Sequence, residues 1–441
     1  MKLSVFLVAI CAVCCSVNAK NLLKVGDDGC SSPPNAFATF TDAPTLIKTV
    51  PNGKLWIAGN QSSGDGFYIA KVFGTPTQQG TAYGLLFKDI ADAQYQNLLN
   101  YLEGMIEKAI PSLPAWLVDL VVQYGAPYLL DLTWNMTEAF IPQRYKDEMD
   151  AASAVFGWPV NRLRGISVFP EAIKMSCSAT IAMGSATPGG TIHHLRTLDF
   201  GQADIKDFPL VTVYQDADPT IPQYAKFDWV GFFGALSSVN DNGQAQGEKV
   251  WGEGTSIFNG SLTGEPATFM YRDLMRVKTQ KEAMQLLFST QKTCSVHTAL
   301  SFSNEKIGQI IRMDYKDVDV YDWTNWTNGT DCPSHPTLKD VVYVDKYWQG
   351  DCGFFGSGNM CYANTLQAAL PGNLTAEYLH KVVAAKEDSG DINLVSFDLA
   401  NNLAWFSNGR KTNVTTGALN ANQRQPTKID LKALWAAQNS P

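Results

Sequence analysis

From residue 20 to about residue 90, short apolar runs alternate with Gly, Pro and Asn. Leu55-Trp56-Ile57-Ala58-Gly59 and Phe67-Tyr68-Ile69-Ala70 are examples, and this texture predicts strands and turns. Between Asp89 and about Phe156 the period lengthens: Leu98, Leu102, Met105, Ile106 and Ile110 fall on one helical face. The stretch from Ile110 to Trp134, punctuated by Pro111, Pro114 and Pro127, is the most apolar part of the chain beyond its N-terminal leader. Burial as a helical hairpin is the preferred reading. The alternative is an edge that meets a lipid surface, with Trp116, Tyr124, Tyr128 and Trp134 at the interface.

Beyond residue 176 the pattern predicts short strands at Thr191 to Phe200, Leu210 to Tyr214 and Trp229 to Val239. Hairpin turns are expected at Asn240-Asp-Asn-Gly243 and Asn304-Glu-Lys-Ile-Gly308. Helices are expected over Thr268 to Phe288 and Thr375 to Lys386, then two closing strands, Asn393 to Asp398 and Leu403 to Phe406. Helices grouped before, between and after hairpins predict an α+β fold rather than a doubly wound sheet.

Composition sets the compartment. Lys2, the apolar run Leu3 to Cys15 and the small residues of Val17-Asn18-Ala19 read as a cleaved secretory signal over residues 1–19. Seven Asn-x-Ser/Thr sequons (Asn60, Asn135, Asn259, Asn325, Asn328, Asn373 and Asn413) fit a glycosylated protein, secreted or lysosomal. Six cysteines lie beyond the leader: Cys30, Cys177, Cys294, Cys332, Cys352 and Cys361. In an oxidising compartment they form disulfides by default, unless one is a catalytic thiol. The expectation is one bridge within the set Cys332, Cys352 and Cys361, one from Cys30 to the β-rich part, and a free thiol at Cys294. With 34 Lys and Arg against 42 Asp and Glu, a net of −8, the chain is no candidate for nucleic acid.

Gly-x-Ser-x-Gly, Walker, His-Glu-x-x-His and Cys-x-x-Cys signatures are absent. His193 and His194 are neighbours on a predicted strand and point to opposite faces, so no metal site is expected, nor any cofactor. The acidic run Asp314, Asp317, Asp319 and Asp322 lacks the Gly and bidentate Glu of a calcium loop. What remains is Met175-Ser-Cys-Ser-Ala-Thr-Ile-Ala-Met183, followed by Ile192-His-His-Leu-Arg-Thr-Leu-Asp-Phe-Gly201. Taken alone, Cys177 reads as a core or disulfide cysteine and Arg196–Asp199 as a structural ion pair. Together with the segments downstream they favour catalysis.

Here the sequence resembles the cysteine branch of the N-terminal-nucleophile hydrolases, the group of acid ceramidase, N-acylethanolamine-hydrolysing acid amidase, choloylglycine hydrolase and isopenicillin N acyltransferase. That branch carries a Cys-Thr/Ser pair, a hairpin, and Arg-x-x-Asp-Phe/Tyr on the return strand, matched by Cys177, Arg196 and Asp199. Gly80 to Lys88, Tyr145 to Gly157, the turn beginning at Asn240 and the segment Tyr362-Ala-Asn-Thr365 resemble further family segments. The chain differs in having no Arg soon after Asn364; the next is Arg410.

The resemblance implies a four-layer αββα sandwich preceded by an N-terminal helical and β pro-segment or α-subunit, residues 20–176, with residues 177–441 as the catalytic part. It implies cleavage between Ser176 and Cys177, the two pieces staying associated. Cys177 would be the nucleophile beside its own α-amine, Arg196 would favour the thiolate, Asp199 would hold the ammonium, and Asn364 with Asn240 would donate to the oxyanion. The implied activity is hydrolysis of a linear amide in a hydrophobic N-acyl substrate, a small molecule or lipid, with peripheral membrane contact through residues 110–134. A phospholipase B-like hydrolase of the same fold and an inactive secreted glycoprotein are the alternatives.

Overall fold

The computed structural model describes residues 30, 32–109, 125, 127–128, 130–172, 176–200, 204–250, 263–293, 296–315, 317–325, 336–346, 360–410 and 419–437. Residues 1–29, most of the 110–134 segment, Cys294, Cys332 and Cys352 lie outside the described residues.

Strands β1 (Thr45–Val50), β2 (Gly53–Ala58) and β3 (Phe67–Gly74) form an antiparallel meander where strands and turns are expected. The chain then enters one long helix, α1 (Pro76–Ala109), which begins well before the expected Asp89. The segment 76–88 falls within the stretch to about residue 90 whose texture predicts strands and turns, and it contains Gly80 and Gly84. Those glycines serve close packing instead. They face α2 (Gln143–Phe156), where a Cβ at Gly80 would overlap the Glu148 carbonyl and one at Gly84 would lie 2.6 Å from Val155 Cβ. Helix α2 stops at Gly157, which takes the left-handed conformation (φ 73°). A third helix, α3 (Val160–Ala172), leads towards Cys177.

Next come β4 (Ser176–Ala182), β5 (His193–Asp199), β6 (Pro209–Asp216), β7 (Tyr224–Trp229), β8 (Ser237–Asn240) and β9 (Gln244–Val250). The single strand expected over 229–239 is interrupted, because Gly231 turns the chain at φ 87° with its N–H bonded to the Tyr83 hydroxyl. The helix expected over 268–288 is likewise two helices, α4 (Ala267–Leu274) and α5 (Gln280–Ser289). Thr279 caps α5 in a reciprocal box with Glu282 and so starts a new helix.

The remaining elements are β10 (Val296–Phe302), β11 (Ile307–Met313), β12 (Val318–Tyr321), β13 (Val341–Val344), α6 (Met360–Ala368), and a continuous helical run α7 over 376–387 with a π-helical centre, Leu379–Val383. Last are β14 (Asn393–Asp398), β15 (Leu403–Asn408), β16 (Thr427–Asp430) and α8 (Leu431–Ala436).

These build a mixed α/β architecture with two sheets. One has ten strands in the order β1-β2-β3-β6-β7-β8-β9-β10-β11-β12; the other has six, β13-β4-β5-β14-β15-β16. Among the described strands, β3 and β6 pair in parallel and the other neighbours are antiparallel. The sheets are packed face to face by Ile69, Val211, Val213, Phe227 and Ile310 from one side and Ala179, Ile181, Val342, Val395 and Phe406 from the other. A second cluster packs α1, α2, α3 and α4 against the ten-stranded sheet, and a third packs α6 and α7 against the six-stranded one.

Besides the β3–β6 pairing, a buried ion pair and a disulfide tie the segment before Cys177 to the rest. Arg272, fully buried, pairs with Glu148 at 2.7 Å and lies between the rings of Tyr145 and Tyr214, 4.4 and 4.3 Å from their centroids. Cys30 is disulfide-bonded to Cys361, as expected of a bridge from the N-terminal part to the β-rich part. That bond removes Cys361 from the set of three, so Cys332 and Cys352 are the only pair left within it. Of the aromatics read as a lipid-facing edge, Trp134 is core at 2 % exposure, whereas Tyr128 is exposed. Among the described residues no helix is long and apolar enough to cross a membrane.

Candidate functional site

Strand alternation sorts the two sides of the β4–β5 hairpin. Ala179 and Ile181 enter the space between the sheets, and Cys177 shares their parity. Ser178 and Thr180 point the other way, to Glu387 (2.9 Å) and the Tyr362 hydroxyl (2.6 Å). On β5, Arg196 enters between the sheets, while Thr197 and Asp199 have the opposite parity. In the antiparallel register Cys177 sits across from Leu198, Ala179 from Arg196, and Ser176 from Asp199. Arg196 is thus a diagonal neighbour of Cys177 on the same face, within reach of a long side chain.

The contacts follow. Arg196 Nη2 donates to Cys177 Sγ at 3.3 Å and to Glu248 Oε2 at 3.0 Å, and its Nε donates to the Glu248 carbonyl at 3.1 Å. Cys177 Sγ is 3.6 Å from Glu248 Oε2. All three side chains are buried, and Cys177 is the free cysteine among the described residues. Strand β9 supplies Glu248 from the opposite sheet, and it makes room for the arginine with Gly247. A Cβ there would lie 2.8 Å from Arg196 Cγ and 2.9 Å from Arg196 Cβ. Arg196 Nη1 is buried with no hydrogen-bond partner among the described residues.

Burial pushes the Cys177 thiol well above its ordinary value; Arg196 opposes this, and Glu248 and Asp199 reinforce it. In the unbroken chain the sulfur is therefore a neutral thiol held beside a charged pair. Burial also lowers the neighbouring Lys249 ammonium, against Cys177, Asp345 and Glu248.

Asp199 faces away from the sulfur. Its Oδ2 accepts from Ser389 Oγ at 2.5 Å and its Oδ1 from the N–H groups of Gly390 and Asp391 at 2.8 and 3.3 Å. It is not the ion partner of Arg196; Glu248 takes that place. The two asparagines expected at the oxyanion are not brought to Cys177. Asn240 ends β8, where its Oδ1 accepts from the N–H groups of Asn242 and Gln244 and its Nδ2 donates to the carbonyls of Met275 and Val277. It is a turn former that also caps the end of α4. Asn364 lies on the exposed face of α6, between the buried Ala363 and Thr365.

The residue that sequence reasoning missed is Glu248. Its signal was Gly-Glu-Lys inside a strand, a glycine and two charges where β-branched residues are the norm. His194, also between the sheets, bonds Ser301 Oγ at 2.8 Å, and burial lowers its pKa to about 3, so it is a neutral core residue. Among the described residues no group of His, Cys, Asp and Glu is placed to hold a metal.

No protein-family model matches the chain. It is 29% identical over 384 residues to protein dcd1B of Dictyostelium discoideum, covering 84% of this chain and 73% of that one. It is 28% identical over 453 residues to protein dcd1A of the same organism, covering 98% of each. Among solved structures the similarity is remote. The N-acylethanolamine-hydrolyzing acid amidase ortholog of Caenorhabditis elegans has a TM-score of 0.39 at 14% identity, covering 51% of this chain and 93% of that one. Penicillin V acylase from Agrobacterium tumefaciens has a TM-score of 0.35 at 11% identity, covering 58% and 86%. A mutant conjugated bile acid hydrolase from Clostridium perfringens has a TM-score of 0.32 at 12% identity, covering 57% and 96%.

Proposed function

We propose that the chain is an amidohydrolase of the N-terminal-nucleophile kind, matured by cleavage between Ser176 and Cys177 and acting on a linear amide of a hydrophobic N-acyl substrate. The observation that carries the proposal is the buried contact of Cys177 Sγ with Arg196 and Glu248, 3.3 and 3.6 Å away. The order of helices, sheet, sheet and helices fits the expected four-layer αββα arrangement.

The precursor has no free α-amine at Cys177, so its thiol needs another base. Glu248 Oε2 is placed to take the S–H proton, and Arg196 to stabilise the thiolate. The sulfur then attacks the Ser176 carbonyl carbon. The Ser176–Cys177 C–N bond breaks, the nitrogen takes up the proton, and a Ser176 thioester is left. Water adds to that thioester, releasing the Ser176 carboxylate and restoring the thiol. Asp199 lies across the ladder from Ser176, so the new ammonium forms beside its carboxylate.

In turnover the α-amine, whose ordinary pKa is about 7.7–8.0, takes the thiol proton. The thiolate adds to the substrate carbonyl and the amine product departs with the proton, leaving an acyl-thioester that water hydrolyses. The unpartnered Nη1 of Arg196 is the donor this site offers to the oxyanion, in place of Asn240 and Asn364.

The Cys30–Cys361 disulfide and the Glu148–Arg272 pair would keep the two pieces together. The sequons and leader support a secreted or lysosomal setting, and lipid contact through residues 110–134 belongs to the same proposal.

N-terminal sequencing and mass spectrometry of the purified protein test the reading. A new N-terminus at Cys177 is expected, with Cys177→Ala remaining one chain and inactive on N-acyl amides. An active protein with the Ser176–Cys177 bond intact would overturn it.

A further inference from the structure

Behind the thiol, on the opposite face of the same two strands, a buried polar network reaches Asp199; its other members have no part in the chemistry described so far. Ser178, the residue after the nucleophile, donates from Oγ to Glu387 Oε2 at 2.9 Å and lies 3.1 Å from Ser389 Oγ. Ser389 Oγ is 2.6 Å from Thr197 Oγ1 and donates to Asp199 Oδ2 at 2.5 Å. Ser178, Thr197, Ser389 and Glu387 are each fully buried. The Ser389-Gly390-Asp391 turn, with Gly390 at φ 94°, cradles the Asp199 carboxylate with one hydroxyl and two backbone N–H groups. An unbroken line of hydroxyls therefore joins Glu387 to the carboxylate that faces Ser176 across the ladder.

We propose that Glu387 is a positioning residue. Through Ser178 and Ser389 it sets how strongly the Ser389 hydroxyl that donates to Asp199 is polarised, and so the readiness of Asp199 to receive the Cys177 ammonium as the Ser176–Cys177 bond opens. The inference rests on the maturation proposed above.

The line has two states. With Glu387 protonated, its O–H donates to Ser178 Oγ, Ser178 to Ser389, and Ser389 to Asp199, each bond polarising the next. With Glu387 ionised, Ser178 turns to donate to Glu387 and the line breaks between the two serines. A second negative charge then also stands behind Asp199.

The surroundings favour the protonated state. Glu387 is faced by Asp345, Lys346, Ser178, Asp199, Lys249 and Tyr362. Burial, reinforced by Asp345 and opposed by Lys346, pushes its carboxyl well above the usual range. Cleavage is thus fastest while Glu387 keeps its proton and slows as pH rises through its ionisation.

The test uses the full chain purified uncleaved, moved into buffers from acid to alkaline, with the first-order appearance of the Cys177 N-terminus followed by mass spectrometry. Glu387→Gln is permanently neutral and still offers an N–H to Ser178. It should move the alkaline fall in rate upward by about one pH unit or more, the tenfold change in proton activity that one unit represents. Ser389→Ala cuts the line, so cleavage on the acid side should slow about tenfold, the loss of one buried hydrogen bond, and the alkaline inflection set by Glu387 should disappear.

The thermal midpoint of each variant is read in parallel. A merely structural role lowers midpoint and rate together and leaves the inflection where it was, which overturns the proposal. A Glu387→Gln profile that superimposes on the wild type also overturns it, while maturation stands. A wild-type chain that stays whole at every pH removes maturation and this inference with it.

Discussion

Gly247→Ala tests the architecture of the site without replacing any group assigned to its chemistry. The new methyl would lie 2.8 and 2.9 Å from Arg196 Cγ and Cβ, and 3.2 Å from His194 Nε2. The first two distances are roughly 1 Å inside an ordinary carbon–carbon contact of about 3.5–4.0 Å. The arginine cannot swing aside cheaply, because its Nε and Nη2 are held by Glu248 and its backbone is a central strand flanked by β4 and β14.

Relief must come from the sheets moving apart or from the guanidinium leaving the sulfur. Overpacking of this kind costs about 1–3 kcal/mol. Expressed wholly in the barrier to cleavage, that is a slowing of about five- to 150-fold. The assay is the half-time of Ser176–Cys177 cleavage in purified chain, with the thermal midpoint measured alongside. Gly104→Ala is the control: among the described residues a Cβ there meets nothing within 4 Å, and the helix interior gains from it. A Gly247→Ala chain that cleaves and melts like the wild type would show that Arg196 does not occupy the space between the sheets as described.

Two further outcomes are expected. Cleaved protein should run as one species without reductant and separate with it into pieces of roughly 17 and 29 kDa before glycans, at about 110 Da per residue. Cys361→Ser should let the pieces part in denaturant alone; pieces that separate in the unreduced wild type would refute the Cys30–Cys361 link. Burial, with Asp273 adding to it and Arg144 opposing, raises the Glu265 carboxyl to about 8 in the folded chain, against about 4.3 when unfolded. A raised acid contributes stability that is full below the unfolded value and is lost as pH rises through the folded one. Urea midpoints should therefore decline between about pH 4.3 and pH 8, and Glu265→Gln should flatten that decline; parallel curves for the two proteins would refute the assignment.

The return strand over Thr191 to Phe200 was legible in the alternation, and the resemblance put Cys177, Arg196 and Asp199 on one hairpin, whose facing residues are close in sequence; which face each side chain takes follows from the pleat. The closing pair β14–β15 was legible for the same reason. Local capping chemistry, such as Thr279 with Glu282, was also present in the sequence, though the periodic pattern around it read as one helix.

What only tertiary structure decided involves partners distant along the chain. Gly80 and Gly84 look like turn residues until α2 is laid against them, for a glycine that frees the backbone and one that admits a neighbour are the same letter. Asn240 and Asn364 were given site roles by their segments. Folding fixes the first in its own turn and leaves the second on an exposed helix face.

The second carboxylate followed the same rule. Asp199 lies three residues after Arg196, yet strand parity sends it to the far side, where Ser389 and the Gly390 N–H hold it. The ion partner of Arg196 is Glu248, contributed by the other sheet. A buried charge must be met by whatever opposite charge the packing brings within hydrogen-bond distance, and the partner of Arg196 was set when the two sheets closed on each other.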